Sequence, residues 1–427
     1  NCGSEDKTMM RETTAVIMAG GFGTRIASVY ADIPKPLIPI AGKPVLQHNI
    51  EALAEQGYRR FVLVLCHMAD KIINYFGDGY DFGVEIKYFV EKSPLGTAGA
   101  LPYVKEMVSD DFLLLNGDAI INIDFGRFEE YHRLRGGMAT IFTHPNSHPY
   151  DSALIEVDEN MTVTRWVEKG KAGSEYFNRV NAGVHIINKR VVSDLKQGRR
   201  ADLDRDVLAP LIRDGKLFAY DSTEYVRDMG TPERLKAVEN DVIMGVTEAR
   251  NLKNKQKAIF LDRDGTINVY RNFITKPDEL ELIPGTAEAV RRINNSAYLT
   301  IIITNQPVIA RGECSEEGLI LIHKRLQTLL GNLGAFYDDL FYCPHHPDRG
   351  FAGEVPELKI DCECRKPKPG LLYKAAEKYN IDLKESFMIG DSERDIKAGI
   401  NAGCRPILIG EGIAGISCPV YKDLAGA

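Results

Sequence analysis

The chain has 427 residues, with 53 Lys and Arg against 60 Asp and Glu, a formal net charge of −7 and 44% hydrophobic residues. A chain of this length holds two or three domains, each able to bury its own core. The acidic balance excludes a general nucleic-acid surface, no apolar run approaches the ~20 residues that cross a membrane, and the N-terminus lacks a charged-then-apolar leader, so the expected location is the cytoplasm.

Asn1 to Arg11 is polar and carries no signal. Thr14-Ala15-Val16-Ile17-Met18-Ala19 then reads as a buried strand. It opens into Gly20-Gly21-Phe22-Gly23-Thr24-Arg25, a loop whose backbone N–H groups suit phosphate oxygens. This is not the dinucleotide fingerprint, because Ile26 stands at the third glycine position, and it is not a P-loop, because no Gly-Lys-Ser/Thr follows. Arg25 and Lys35, the latter within Pro34-Lys35-Pro36, add positive charge along the path of a triphosphate. From Thr14 to Phe142 apolar strands alternate with amphipathic helices such as Pro44 to Gln56, the rhythm of a mainly parallel sheet. One strand ends in Asn116-Gly117-Asp118. Tyr150 to Asn188 has shorter β-branched runs and reads as an antiparallel insertion. Arg227-Asp228-Met229-Gly230-Thr231-Pro232 brings a second aspartate, and Pro232 to Ala249 reads as a helix.

These motifs together resemble the sugar 1-phosphate nucleotidyltransferases as far as about Glu239. The resemblance implies that Asp118 and Asp228 hold Mg²⁺ over the α-phosphate of a nucleoside triphosphate. It also implies that Glu168-Lys169 meets the sugar and its 1-phosphate, that Asn181-Ala182-Gly183-Val184 turns around the sugar, and that Gly96 and Thr97, in Pro94 to Ala98, lie near base and sugar. The proline that the family places after Glu-Lys is Gly170 here. In such an enzyme a sugar 1-phosphate oxygen attacks the α-phosphorus in line and pyrophosphate leaves. Lys169 would hold the attacking phosphate. Arg25, Lys35 and Mg²⁺ would stabilise the leaving group, with Gly20, Gly21, Gly23, Thr24 and Gly117 around the nucleotide.

Arg250 to Lys257 is polar and basic and reads as a solvated connector. Beyond it Ala258-Ile259-Phe260 leads to Leu261-Asp262-Arg263-Asp264-Gly265-Thr266, which sets two carboxylates at the end of a strand. Residues i and i+2 of an extended segment face the same way, so one carboxylate can attack phosphorus while the other moves the proton. A calcium loop would need further ligands where Ile267 and Val269 stand. A second strand delivers Thr304-Asn305-Gln306, whose hydroxyl and amides suit phosphoryl oxygens, and Arg365-Lys366-Pro367 supplies two cations. Asp391, with Asp395 four residues on, makes an acidic corner for Mg²⁺. Cys343, His345, Cys362 and Cys364 have spacing that suits a tetrahedral, structural Zn²⁺; His345 is preferred to His346 on spacing, although both could reach.

The order of these segments resembles the haloacid dehalogenase phosphatases. The loop of cysteines and Cys364-Arg365-Lys366-Pro367 resemble the D-glycero-D-manno-heptose 1,7-bisphosphate phosphatases and the related histidinol-phosphate phosphatases. The family mechanism implies that Asp262 becomes an aspartyl phosphate and that Asp264 serves as acid and then base. It implies that the Asp262 carboxylate, the Asp264 carbonyl and Asp391 hold Mg²⁺, that Lys366 and Thr304 meet the equatorial oxygens, and that Arg365 meets the rest of the substrate. Pro307-Val308 and Ser392 depart from the usual Ser-Gly and from the lysine found in some relatives.

The expected architecture is α/β: two Rossmann-like domains, a glycosyltransferase-A-like nucleotidyltransferase over 12–249, a linker over 250–257, and a haloacid dehalogenase-like domain with minimal cap and zinc loop over 258–427. The expected function is bifunctional. One half removes the 7-phosphate of heptose 1,7-bisphosphate, and the other joins heptose 1-phosphate to a nucleotide, GTP by preference, giving GDP-heptose. The alternative is a mannose-1-phosphate guanylyltransferase fused to a histidinol-phosphate or other sugar phosphatase. Heptose phosphates and GTP are thus the expected partners, with Mg²⁺ at both sites.

Overall fold

A computed structural model describes residues 10–21, 30, 32–171, 173, 175–415 and 417–427. Two compact units emerge. One takes the chain up to Thr143 with Ile155–Trp166 and Asn181–Asn251; the other takes His144–Leu154, Val167–Val180 and Leu252–Ala427. The units interleave in sequence. No helix among the described residues is long and apolar enough to cross a membrane.

The N-terminal sheet has nine strands among the described residues: β1 (Ala15–Met18), β2 (Arg60–Leu65), β3 (Glu85–Val90), β4 (Asp111–Asn116), β6 (Ala139–His144), β7 (Leu154–Val157), β8 (Val163–Val167), β9 (Val180–Asn188) and β10 (Leu217–Asp221). The order β8-β7-β9-β4-β1-β2-β3 puts β1 between two parallel neighbours, while β6 pairs with β9 and β10. The apolar runs of β1, β2 and β4 are buried because helices and loops cover both faces. The chain leaves β1 in opposite directions to reach β2 and β4, and a crevice opens at the strand ends there. Gly20 and Gly117 both sit at that point: Gly117 N–H donates to Met18 O at 2.9 Å, and a Cβ on Gly117 would crowd the same oxygen. The expected antiparallel insertion is present, with β9 antiparallel to both β4 and β7.

A separate antiparallel pair, β5 (Ala119–Asn122) with β11 (Tyr225–Asp228), aligns Asp228 with Ala119. Helix α1 (Val45–Glu55) supports it. Val45, Leu46, Asn49, Ile50 and Leu53 form its buried face. Asn49 serves the free edge of β5, donating to Ala119 O at 2.8 Å and accepting from Ile121 N–H at 3.0 Å. The helix expected from Pro232 to Ala249 is broken: α2 (Pro232–Ile243) ends before Gly245, whose φ of +71° suits glycine, and a short turn follows.

The second unit holds a parallel sheet in the order β14-β13-β12-β15-β16-β17, from β12 (Lys257–Leu261), β13 (Tyr298–Asn305), β14 (Asp339–Cys343), β15 (Phe387–Gly390), β16 (Arg405–Ile409) and β17 (Val420–Tyr421). Strand β12 again lies between two parallel partners, which directs its carboxyl end into a crevice. Helix α3 (Glu316–Asn332) also packs here against the Val167–Val180 segment: Tyr176 N–H donates to Thr328 Oγ1 at 3.2 Å, and Lys324 lies 5.4 Å from the Phe177 ring. The expected solvated connector is corrected in part: Lys253, Asn254, Lys255 and Lys257 are exposed, but the rest is not. Arg250, Asn251, Leu252 and Gln256 are buried, Asn251 donates to Asn122 Oδ1 at 2.7 Å, and Gln256 bridges Asn380 and Asp382 through its backbone. Polar side chains that cap strand edges are hard to tell in sequence from those that face water.

Replacing Asn49 with Ala strands one buried acceptor and one buried donor, and is expected to destabilise the first unit by about 2 kcal/mol. Urea denaturation should show a lowered midpoint; an unchanged midpoint would contradict the role given to this side chain.

Candidate active sites

In the second unit, the register of β12 against β13 and β15 brings the carboxyl ends of three strands together. Asp262 N–H donates to Ile389 O at 3.0 Å, so the aspartate sits directly beyond the sheet. Carboxylate oxygens of Asp262, Asp391 and Asp395 lie within 4.8 Å of one another. Lys366 is buried among them, with its ammonium 2.8 Å from Asp262, 2.6 Å from Asp395 and 2.8 Å from Ile303 O. Gly265 makes this possible. Its φ is +85°, and a Cβ there would collide with the Asp391 carboxylate. Asp395 belongs also to the capping box of helix α4 (Glu393–Ala402), accepting from Ser392 N–H at 3.1 Å and Ser392 Oγ at 2.5 Å.

Burial raises the Asp262 carboxyl, and the Asp395 charge adds to it, while Lys366 opposes both. Burial likewise pushes Asp391 up to about 6 with help from Asp395. For Lys366, burial works downward, and the Asp262 and Asp395 charges outweigh it. These carboxylates are crowded and dry. A divalent cation fits that donor set, since it would relieve the repulsion.

Asp264 has a different environment. Arg263, fully buried, grips it with Nε at 3.1 Å and Nη2 at 2.8 Å, Asn268 Nδ2 donates to it at 2.9 Å, and Gln306 Nε2 donates at 2.9 Å. Burial pushes its pKa up, but the Arg263 charge and these donors prevail and hold it below the usual carboxylate range. Gln306 also donates to Thr304 Oγ1 at 2.9 Å. Asn305 closes a reciprocal pair with the backbone of Lys366, at 3.1 and 3.0 Å. Both amides expected to hold phosphoryl oxygens are thus engaged with the protein, where they position Asp264 and Lys366. Of the departures, Pro307 lines the cavity while Val308 is buried in the core.

The cavity in front of these groups has a volume of about 250 Å³. Arg365 lines it, as do Arg394, Tyr270, Asn272 and Phe273. The last four were missed in the sequence because no motif marks an irregular segment or a helix's first turn as a cavity wall.

Behind Arg365, Cys343, His345, Cys362 and Cys364 gather with all ligand atoms within 4.8 Å. The sulfur–sulfur separations are 3.5, 3.2 and 3.3 Å, and His345 Nδ1 is 3.6 and 3.2 Å from Cys343 and Cys364. No disulfide joins these thiols. A tetrahedron of Zn–S bonds has edges of roughly 3.8 Å, so the group could bind zinc with little change. Burial raises the Cys343 thiol, and a cation would be needed to make it a thiolate. His346 is turned away, its Nδ1 accepting from Asp348 N–H at 3.2 Å.

In the first unit, a cavity of about 410 Å³ lies at the β1 switch point, lined among others by Gly20, Gly21, Lys35, Gly96, Thr97, Gly117 and Asp118. Lys35 Nζ donates to Asp118 Oδ2 at 2.6 Å. Asp228 is next to Asp118 by strand register; it accepts from Gly230 N–H at 2.9 Å and from Arg234 at 3.0 Å. Burial raises Asp228, but that N–H, Arg234 and Lys35 bring it below the ordinary carboxylate range. Thr97 faces partly inward, its Oγ1 accepting from Leu203 N–H at 2.7 Å. Asn181 accepts from Gly183 N–H and contacts His185, both at 3.0 Å. Gly23, Thr24 and Arg25 lie outside the described residues. Glu168 and Lys169 belong to the segment grouped with the second unit, exposed and paired with Lys171 and Asp151 at 2.5 Å each. Two charged cavity residues carried no motif: Arg200, and the buried Glu91.

Residues 14–244 match the family described as nucleotidyl transferase, and residues 363–417 match the HAD-hydrolase-like family. The chain is 29% identical over 245 residues to mannose-1-phosphate guanylyltransferase of Mycobacterium tuberculosis, a stretch covering 57% of this chain and 68% of that protein. It is 44% identical over 150 residues to D-glycero-alpha-D-manno-heptose-1,7-bisphosphate 7-phosphatase of Photorhabdus laumondii, covering 35% of this chain and 80% of that protein. Among solved structures, HddC from Yersinia pseudotuberculosis is similar at 29% identity over 54% of this chain and 99% of that one, with a TM-score of 0.48. The chain therefore belongs to the nucleotidyl transferase family and, in its C-terminal part, to the heptose bisphosphate phosphatases of the HAD-like hydrolases, so it joins two enzymes in one polypeptide.

Proposed function

We propose that this bifunctional enzyme hydrolyses the 7-phosphate of D-glycero-D-manno-heptose 1,7-bisphosphate and then transfers GMP from GTP to the resulting heptose 1-phosphate. The sequence domains proposed for the two steps are 258–427 and 12–249. The observation that carries the phosphatase step is Lys366 buried between Asp262 and Asp395 at the mouth of the sheet, beside Asp391. Asp262 attacks the phosphorus, and the sugar oxygen leaves with a proton from Asp264. Asp264 then takes a proton from the water that cleaves the aspartyl phosphate. Acid–base help of this kind contributes roughly 10²–10⁴-fold. To act as an acid, Asp264 must first give up part of its contact with Arg263. Lys366 and Thr304 balance charge on the phosphoryl oxygens, and Arg365 meets the remainder of the sugar. Mg²⁺ held by Asp262, Asp391 and the Asp264 carbonyl would supply neutralisation between anionic nucleophile and anionic substrate.

The transferase step needs no protein nucleophile. Lys35 and Arg25 balance the leaving pyrophosphate, and Asp118 with Asp228 would hold Mg²⁺, which supplies charge neutralisation at the α-phosphate. Guanine as the base is supported by Glu91. Its carboxylate lines the cavity, takes the Leu95 N–H, and is raised by burial, with Oε1 free of any protein donor. A carboxylate there matches the adjacent N–H and amino donors on the guanine edge, and it opposes the carbonyl oxygens of uracil or thymine. The mycobacterial relative is likewise a guanylyltransferase, acting on mannose 1-phosphate. Soluble sugar phosphates and GTP as substrates are consistent with action in the cytoplasm.

With Mg²⁺, GTP and heptose 1,7-bisphosphate, phosphate should be released first and pyrophosphate second, with GDP-heptose as product. Asp264→Asn should abolish phosphate release and leave transfer to supplied heptose 1-phosphate nearly intact, and Asp118→Asn should do the reverse. Fast hydrolysis of histidinol phosphate with an inert heptose substrate, or a preference for mannose 1-phosphate, would favour the alternative pairing.

Glu91→Gln should lower the kcat/KM ratio of GTP over UTP by about 5- to 150-fold, the range for losing one bidentate base contact. An unchanged ratio would remove Glu91 from base selection.

The cluster of Cys343, His345, Cys362 and Cys364 is proposed to hold one structural Zn²⁺. Elemental analysis should find about one zinc per chain, and chelation should lower the thermal transition of the second unit first, since such a site contributes roughly 10 kcal/mol or more in small domains. Protein prepared without chelator yet free of zinc would reject the site.

A further inference from the structure

The loop between the zinc-site residues His345 and Cys362 reaches the substrate cavity through a column of alternating cations and rings. The Arg311 guanidinium carbon lies 4.2 Å from the centre of the Phe273 ring and 4.2 Å from that of Phe351, and Lys359 Nζ lies 4.4 Å from Phe351. Phe273 lines the cavity beside Tyr270, and its side of the column is partly open, with 38% of the residue exposed. Phe351 and Lys359 belong to the loop. Lys359 is buried, donates to Asp348 O at 2.9 Å and pairs with Glu354 at 3.5 Å, and Glu354 in turn accepts from Phe351 N–H at 3.0 Å.

Arg311 itself comes from the turn that follows Gln306. That turn is fastened to the loop by Val355 N–H donating to Ala310 O at 3.0 Å, and Gly312 has no room for a side chain against Gly353 O. The guanidinium also pairs with Glu313 at 3.0 Å. The segment carrying Phe273 has no helix or strand of its own, and Asn272 before it has a positive φ of 59°. Its ring is therefore placed by what it packs on.

We infer that Arg311 is a positioning residue for the phosphatase: by gripping Phe273 and Phe351 together, it sets the aromatic wall that receives the sugar portion of the substrate, and it makes that wall depend on the cysteine loop. The inference rests on the phosphatase assignment above. An exposed ring at the mouth of a polar cavity offers an apolar face to the C–H face of a sugar, whereas the phosphoryl group is held by Lys366 and its neighbours at the other end. The wall therefore contributes to binding of the whole sugar phosphate and not to the transfer of phosphate.

The test uses the full chain with two substrates, heptose 1,7-bisphosphate and acetyl phosphate, which has no sugar. Arg311→Met should raise KM for the bisphosphate by about 5- to 30-fold, the range for losing partly buried cation–ring contacts. Its kcat with acetyl phosphate and its zinc content should remain those of the wild type. Arg311→Lys, which keeps a cation near both rings, should recover most of the KM, and Phe351→Leu should reproduce the Arg311→Met defect from the far side of the column. An unchanged KM in Arg311→Met, or an equal fall in kcat for both substrates with a lowered thermal midpoint, would overturn the positioning role. A wild-type chain that hydrolyses neither substrate would overturn the phosphatase assignment, and the inference with it.

Discussion

The phosphatase half depends on one buried ammonium. Lys366 Nζ reaches Asp262, Asp395 and the Ile303 carbonyl, so each of its three protons has an acceptor. Burying a charge without such partners costs several kcal/mol. The charges nonetheless do not balance: Asp262, Asp391 and Asp395 set three negative charges against one positive, leaving two. Two is the charge of one divalent cation, and burial, with the Asp395 charge adding to it, pushes the Asp262 and Asp391 carboxyls upward at the same point. Segments far apart in the chain are recruited to build this one point. Asn305 fixes the Lys366 backbone, Ser392 fixes Asp395, and Gly265 makes room for Asp391.

Strand ends were the legible part of the sequence. Asp118, Asp262, Thr304 and Asp391 each follow a short apolar run, and a parallel strand buried on both faces can present a polar residue only where it emerges. What lay behind those ends was not legible. The motif assigns Arg263 no role, yet it is fully buried, with Asp264 and Gln306 as partners for its guanidinium. The basic connector misled for the same reason: local composition records how polar a segment is and not whether a distant carbonyl or amide awaits it, as Asn122 awaits Asn251.

A similar limit applies to the interleaving of the units. Nothing in Val167–Val180 announces that Thr328 and Lys324 lie beside it, since its pattern fits a sheet insertion equally well. Glu91 could not be singled out because a glutamate after an apolar strand is common, and only the cavity wall and the free oxygen distinguish it.

The two sites use the same sheet geometry and divide by solvation. Asp262 has 13% of its side chain exposed, and it shares a lysine that is itself buried. Asp118, two residues beyond β4 in the first unit, is 47% exposed beside Lys35. A carboxylate stripped of water is a better nucleophile than a hydrated one, and a fixed ammonium steadies it without covering every oxygen. A hydrated carboxylate is suited to holding a metal ion and exchanging ligands with an incoming triphosphate. Hydrolysis through an acyl phosphate on the enzyme, as proposed above, demands the first kind, because the protein must supply the attacking atom. Nucleotidyl transfer demands the second, because the sugar phosphate brings its own. On the roles proposed above, Asp262 is the attacking carboxylate and Asp118 a metal-holding one, and the depth to which the surrounding loops bury each carboxylate matches that division.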